Sequence, residues 1–159
     1  MFRSPSSGRM KLVQVAKEIS KYIDEDSQSK YNLIVGTDSN GNGKTDFVTA
    51  IIVCRVGRGG RYFWRKINGN KVYPTLRDRI YQEVNLSLEC AQDVLSQLAS
   101  LVRTTSEPNY DFQIHIDVGQ KGPTREMIKE VVGMVSGNGF DARIKPESYA
   151  ASSVADKYT

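Results

Sequence analysis

Asn32-Leu33-Ile34-Val35-Gly36-Thr37-Asp38-Ser39-Asn40, residues 32–40, decides how the chain is read. Tyr31 and three aliphatic residues lead through Gly36 and Thr37 to a carboxylate, Asp38, where the run turns polar. The run is short, partly β-branched and closed by Ser39-Asn40-Gly41-Asn42-Gly43, a composition that favours a buried strand over a helix. It predicts a strand with an acid at its mouth.

Outward from this strand, residues 46–56 (DFVTAIIVCRV) and 61–67 read as two further strands, joined through the glycine-rich turn at 57–60 as an antiparallel meander. Upstream, residues 10–23 place Leu12, Val15, Ala16, Ile19, Tyr22 and Ile23 on one helical stripe that Asp24-Glu25-Asp26 ends. Downstream, Pro74 and Thr75 open the longest helix, in which Ile80, Val84, Leu88, Ala91, Leu95, Leu98 and Val102 recur at steps of four and three. Glu107-Pro108-Asn109 breaks it. Phe112, Ile114, Ile116 and Val118 then alternate with Gln113, His115 and Asp117, the period of a strand that again ends in an aspartate. Gly122-Pro123-Thr124 starts a helix carrying Ile128, Val131, Val132 and Val135; residues 140–145 form a last short strand, and 148–159 a final helix bearing Asp156. Helical crossovers force the later strands to lie parallel to their neighbours. The expected architecture is α/β: a mixed five-stranded sheet, three antiparallel strands then two parallel, flanked by helices, with an extra N-terminal helix.

The 159 residues, 39% of them hydrophobic, suit one domain over 1–159. No apolar run approaches the ~20 residues needed to span a bilayer, and residues 1–9 (MFRSPSSGR) lack the apolar core of a secretory signal. A cytoplasmic protein without membrane partners is expected. Cys54 and Cys90 stand far apart with no CxxC spacing and read as free thiols rather than a disulfide or metal ligands; with a single histidine, no structural zinc site is expected. Any metal would sit on oxygen ligands. The net charge of +4 says little, but Arg55, Arg58, Arg61, Arg65, Lys66 and Lys71 crowd one region with Tyr62, Phe63, Trp64 and Tyr73 interleaved. That mixture suits phosphate contacts and base stacking; it equally suits a solvated strand face with its aromatics packed inward.

If the first strand of the meander runs up, the long helix begins at the top, and the strand ending at Asp117 rises to the same edge. Asp38 and Asp117 then share that edge. A helical acid joins them only if it lies early in the helix, since each later residue carries it ~1.5 Å away. Glu83 meets this condition and falls at the edge of the apolar face beside Ser87; Glu89 and Asp93 point away, and Glu89 is the reserve candidate should the helix start one turn later. Each acid also has an ordinary explanation: Asp38 and Asp117 as strand-end turn formers, Glu83 as a solvated helical residue, Asp156 as a terminal surface charge. His115 shares the strand side of Asp117 and reads as a hydrogen-bonded structural histidine.

With these residues placed, the chain resembles the ribonuclease H-like superfamily in element order, and Asp38-Ser39 and Ser153-Val154-Ala155-Asp156-Lys157 resemble that family's first-strand and last-helix motifs. GTDSN, HIDVG, GMVSGNGF and KPESYAASSVADKYT together look like its bacterial YkuK-type branch, over nearly the whole chain. The resemblance implies a nuclease that hydrolyses phosphodiesters with two Mg²⁺ or Mn²⁺ ions. Asp38 would bridge both ions, Glu83 and Asp117 would complete one site, and Asp156 the other. Where ribonucleases H often carry a histidine before the last helix, this chain has Lys145-Pro146-Glu147-Ser148.

The leading expectation is therefore a metal-dependent nuclease acting on RNA, an RNA/DNA hybrid or structured DNA, with Arg61, Arg65, Lys66, Lys121, Arg125 and Lys145 as backbone contacts. A nucleic-acid-binding or assembly module that keeps the fold without turnover is the alternative. A phosphoesterase for small nucleotides is a third reading, which requires a closed pocket.

Overall fold

The computed structural model describes residues 1–41, 43–101, 110–148 and 153. The stretch around Asp38 forms the nine-residue strand Tyr31–Ser39 (β3), preceded by Phe2–Ser4 (β1), Gly8–Met10 (β2) and the helix Leu12–Asp24 (α1). It is followed by Phe47–Arg55 (β4), Gly60–Ile67 (β5), the helix Leu76–Leu101 (α2), Tyr110–His115 (β6), the helix Ile128–Gly137 (α3) and Asp141–Arg143 (β7). The strands make one sheet in the order β2-β1-β5-β4-β3-β6-β7. The pairs β3–β4 and β4–β5 are antiparallel, and β3–β6 and β6–β7 are parallel. No helix among the described residues is long and apolar enough to cross a membrane.

Period-2 alternation divides the sheet cleanly. Leu33 and Val35 of β3, Ile51 and Val53 of β4 and Phe63 of β5 face the helices, joining Val15, Ile19, Val84, Ala91 and Val94 in the main core. Ile34 and Ile52 face the other way, with Cys54 and Tyr62 beside them. Tyr31 is almost wholly buried and sends its hydroxyl to the Asp26 carbonyl at 2.7 Å, closing the turn that follows α1. Both thiols are free, Cys90 buried and Cys54 half-buried.

The five central strands take the expected directions, three antiparallel and two parallel, but the sheet has seven strands, not five. Residues 1–10 are not a tail: they fold into the hairpin β1–β2, turning through Pro5 to Gly8, where Gly8 takes φ +67°. Arg3 pairs with Trp64 and docks the hairpin on β5. The expected helix over 10–23 accordingly starts at Leu12, because Met10 belongs to β2. Two strands of three residues are too short for alternation to register; what holds them is the burial of Phe2 and Met10 in the main core, at 2% and 5% exposure. The expected helix after Gly122-Pro123-Thr124 begins as a single 3-10 turn, Arg125–Met127, and becomes α-helical only from Ile128. Val102 and Asp156 lie outside the described residues.

Replacing Phe2 with alanine should cost about 3–5 kcal/mol, the usual range for a fully buried phenylalanine. Urea unfolding followed by circular dichroism measures it. An unchanged midpoint would mean that the hairpin contributes nothing to the core.

Candidate functional site

β3 and β6 are parallel neighbours, and their last registered pair is Gly36 with His115. Asp38 and Asp117 each stand two residues further on, so both carboxylates leave from the same end of adjacent strands, which lie ~4.8 Å apart. Asp117 has left the ladder and is anchored by β7 and the loop beyond it. The Ile116 N–H donates to the Arg143 carbonyl, the Lys145 N–H donates to the Val118 carbonyl, both at 2.9 Å, and the Lys145 ammonium meets Asp117 Oδ1 at 2.9 Å.

The third carboxylate comes from α2. Ser39 donates its hydroxyl hydrogen to Glu83 Oε1 at 2.5 Å, and Ser87 donates to the Thr37 hydroxyl at 2.8 Å. Thr37 shares a further hydrogen bond with Thr49 across β3–β4, 2.9 Å long. Ser39 and Thr37 are two strand residues apart, ~6.7 Å on one face; Glu83 and Ser87 are four helical residues apart, ~6 Å on one face. The two spacings match, so helix and strand run antiparallel and are pinned at two points. A narrow cleft between them is lined by Thr37, Glu83, Ser87 and Asp117.

Glu83 is 5% exposed. Burial pushes its pKa from the ordinary 4.5 up to about 8; the Asp38 and Asp117 charges add to the rise, while the Ser39 hydrogen bond and Arg79 oppose it. Glu83 is therefore not the solvated helical residue of the ordinary explanation, whereas Glu89 and Asp93 are exposed. Asp156 lies outside the described residues. His115 is buried, with Nε2 3.0 Å from Gln113 Oε1, and burial holds its pKa down to about 4, so the ring is neutral at physiological pH. It is a hydrogen-bonded core histidine on the sheet face away from α2.

The basic residues divide by strand parity. Arg61 and Arg65 share the helix-facing side of β5 with Phe63, their guanidinium carbons 5.2 Å from the Tyr22 ring centre and 5.0 Å from the Phe2 ring centre. Lys66 lies on the opposite side, in register with Val48 and through it with Asp38, and pairs with Asp46 at 3.0 Å. Lys121, on the loop after Asp117, and Arg125, at the start of the 3-10 turn, are exposed. Thr37, Ser87 and Arg79 were not singled out from sequence as site residues. The recoverable signal was their spacing: Arg79 and Ser87 flank Glu83 at four residues on either side, the interval that shares a helix face.

Carboxylate oxygens are the donors that Mg²⁺ and Mn²⁺ prefer, and an acid buried beside two like charges sits in a field that a cation would relieve. In donor type and electrostatics the residues fit such an ion. Among the described residues, however, no three Asp, Glu, His or Cys side chains come together closely enough to hold one. Glu83 is turned to Ser39 and Asp117 to Lys145.

The raised pKa has a thermodynamic sign. The unfolded chain releases the Glu83 proton near pH 4.5 and the folded chain near pH 8, so the folded state binds more protons between these values. Stability is greatest below this window and is lost as pH rises through it. Thermal melting across pH 4.5 to 8 should show that decline, and Glu83→Gln should flatten it; equal slopes in both proteins would mean that Glu83 ionises without penalty.

Comparison with known proteins identifies the family of the chain. The family model described as "Ribonuclease H-like" matches residues 14–159. The chain is also similar to the uncharacterized protein YkuK of Bacillus subtilis (strain 168), 30% identical over 166 residues that take in all of this chain and 96% of that relative. No solved structure gives a significant match. A family match over nearly the whole chain, on a sheet with three antiparallel and two parallel central strands and acids at the shared end of β3 and β6, leads to one assignment: the chain belongs to the ribonuclease H-like family, in its YkuK-type branch.

Proposed function

We propose that the chain is a divalent-metal-dependent nuclease that hydrolyses phosphodiester bonds in RNA, an RNA/DNA hybrid or structured DNA. The observation that carries this reading is Glu83: a carboxylate kept 5% exposed, hydrogen-bonded by Ser39 and raised in pKa in part by the charges of Asp38 and Asp117. A helix that needed only to pack would place an apolar residue there, since burying an acid is expensive. Asp38, Glu83 and Asp117, with Asp156 from the C-terminal segment, are the residues that would hold Mg²⁺ or Mn²⁺. When bound, such ions supply a water of lowered pKa and neutralise charge on the leaving oxygen.

The protein's own groups prepare this. Ser39 orients the Glu83 carboxyl, and the Thr49–Thr37–Ser87 hydroxyl chain fixes the helix that carries it. Lys145 holds Asp117 in place with a single positive charge; release of that ammonium frees the carboxylate to act as a ligand and leaves a cation for a substrate phosphate. Lys121, on the loop after Asp117, and Arg125, at the start of the 3-10 turn, add exposed positive charge to the segment that follows that acid. His115 is neutral at physiological pH, with Nε2 bonded to Gln113.

A second reading has its own support. The Lys145–Asp117 ion pair and the lack of three converging ligand side chains among the described residues favour a binding or assembly module that keeps the fold without turnover.

The two part in one experiment: incubation of single-stranded RNA, single-stranded DNA, hybrid and four-way junction with Mg²⁺ or Mn²⁺. Cleavage that Asp38→Asn and Asp117→Asn abolish, and that Ser39→Ala lowers by about 10–100-fold as loss of an orienting partner does, establishes the nuclease. Folded protein that binds but cleaves nothing in either metal establishes the module. Because a ligand carboxylate must be deprotonated, Mn²⁺ affinity measured calorimetrically without nucleic acid should rise with pH up to about 8 and lose that dependence in Glu83→Gln.

A further inference from the structure

The hairpin β1–β2 does more than extend the sheet. Arg3 is registered with Trp64 of β5 and with Arg9 of β2, so these three side chains share one face, and strand alternation adds Lys66 to it. It is the face opposite the helices, since the interleaved Phe2, Met10 and Phe63 all enter the main core. It is also the face of Asp38: Asp38 is registered with Val48, and Val48 with Lys66. On this face lies a groove of about 380 Å³ lined by Met1, Arg3, Arg9, Trp64, Lys66 and Asn68, and also by Arg65, whose guanidinium turns to the Phe2 ring.

Its chemistry is one-sided. The Arg3 guanidinium lies over the Trp64 ring at 5.6 Å, a flat cation backed by a flat aromatic. Among the described residues neither Arg3 nor Arg9 has a carboxylate partner, and the acid that pairs with Lys66 is Asp46 at 3.0 Å. Two uncompensated arginines, a third cation and an aromatic plane around a groove match what binds the sugar-phosphate backbone and stacks a base. The size favours a single strand. A pocket at the small end of ligand-sized cavities takes a nucleotide, whereas a duplex would present two phosphate rails across a major groove of ~12 Å. Position agrees: at ~4.8 Å per strand, Lys66 is about 10 Å from Asp38 and Arg3 about 15 Å or more, a reach of a few nucleotides.

We propose that Arg3, Arg9, Lys66 and Trp64 form a binding subsite for single-stranded nucleic acid, in which Arg3 and Arg9 hold phosphates and the Arg3–Trp64 stack receives a base. The subsite places the strand on the same sheet face as Asp38. As a substrate-positioning site it rests on the nuclease reading; as a binding site it does not.

Trp64 is the sole tryptophan of the chain, so its fluorescence reports on this groove alone. The native protein, kept in EDTA so that no cleavage intervenes, is titrated with a dodecamer of deoxythymidylate, one of uridylate and a duplex of the same length. Saturable quenching by both single strands, weaker for the duplex, is expected. Arg3→Ala/Arg9→Ala should lose about tenfold or more in affinity and shorten the salt slope by about 1.4, at ~0.7 per phosphate contact on a single strand. Because Arg3→Ala also changes the tryptophan's surroundings, Arg9→Ala alone is the second variant and should lose about half of that slope. Binding with no change in Trp64 emission, equal affinity in native and Arg9→Ala proteins, or preference for the duplex each overturns the subsite. Quenching in EDTA with no cleavage in either metal would retain the subsite and remove the nuclease; cleavage with no quenching would do the reverse.

Discussion

Two hydrogen bonds one helical turn apart, Ser39 to Glu83 and Ser87 to Thr37, hold the molecule's most consequential contact. They work because two strand residues and four helical residues cover nearly the same length. A slip of α2 by one residue would rotate it by ~100° and break both bonds together. Register is thus fixed by polar groups at the upper end of the helix, while the apolar contacts below, Val84, Leu88, Ala91 and Val94 against Leu33 and Val35, supply the larger share of cohesion without specifying register so sharply.

The same contact brings an acid into the interior. Glu83 sits where its ionised form is opposed both by lost solvation and by two nearby carboxylates, so the protein keeps a proton there at neutral pH. A stability-driven sequence would replace it. Local electrostatic cost beside well-formed packing is the usual mark of a position kept for something other than folding. Arg79 opposes part of that cost, while Lys145 pairs with Asp117, and the main-chain bond between Lys145 and Val118 keeps that pair within reach.

Much of this was legible in the sequence, for identifiable reasons. β3 was marked by an apolar run that a polar turn closes, and α2 by its four-and-three spacing. Given both, the shared edge of Asp38 and Asp117 follows from crossover geometry, and height and phase along the helix rank Glu83 ahead of Glu89, with Glu89 in reserve until burial distinguishes them. The hairpin escaped because each of its strands contributes one inward apolar residue, Phe2 or Met10, and one residue sets no period. The basic cluster was read as a unit, although alternation about Phe63 divides it: Arg61 and Arg65 turn inward onto Tyr22 and Phe2, and Lys66 turns outward. The partner of Lys145 depends on which loops meet at the end of β6, and no local pattern carries that, whereas the His115–Gln113 bond joins two residues of one strand face.

The hairpin has one more consequence, for how the molecule behaves among its own copies. With β1 docked at Trp64, the sheet ends at β2 on one side and β7 on the other, each three residues long. Without it the sheet would end at β5, eight residues bearing Tyr62, Phe63 and Trp64, an extended template of unpaired amides open to another chain. Short borders offer few amides to a newcomer, and Arg9 adds an exposed charge on the β2 side. Ten residues at the start of the chain thus also guard against aggregation.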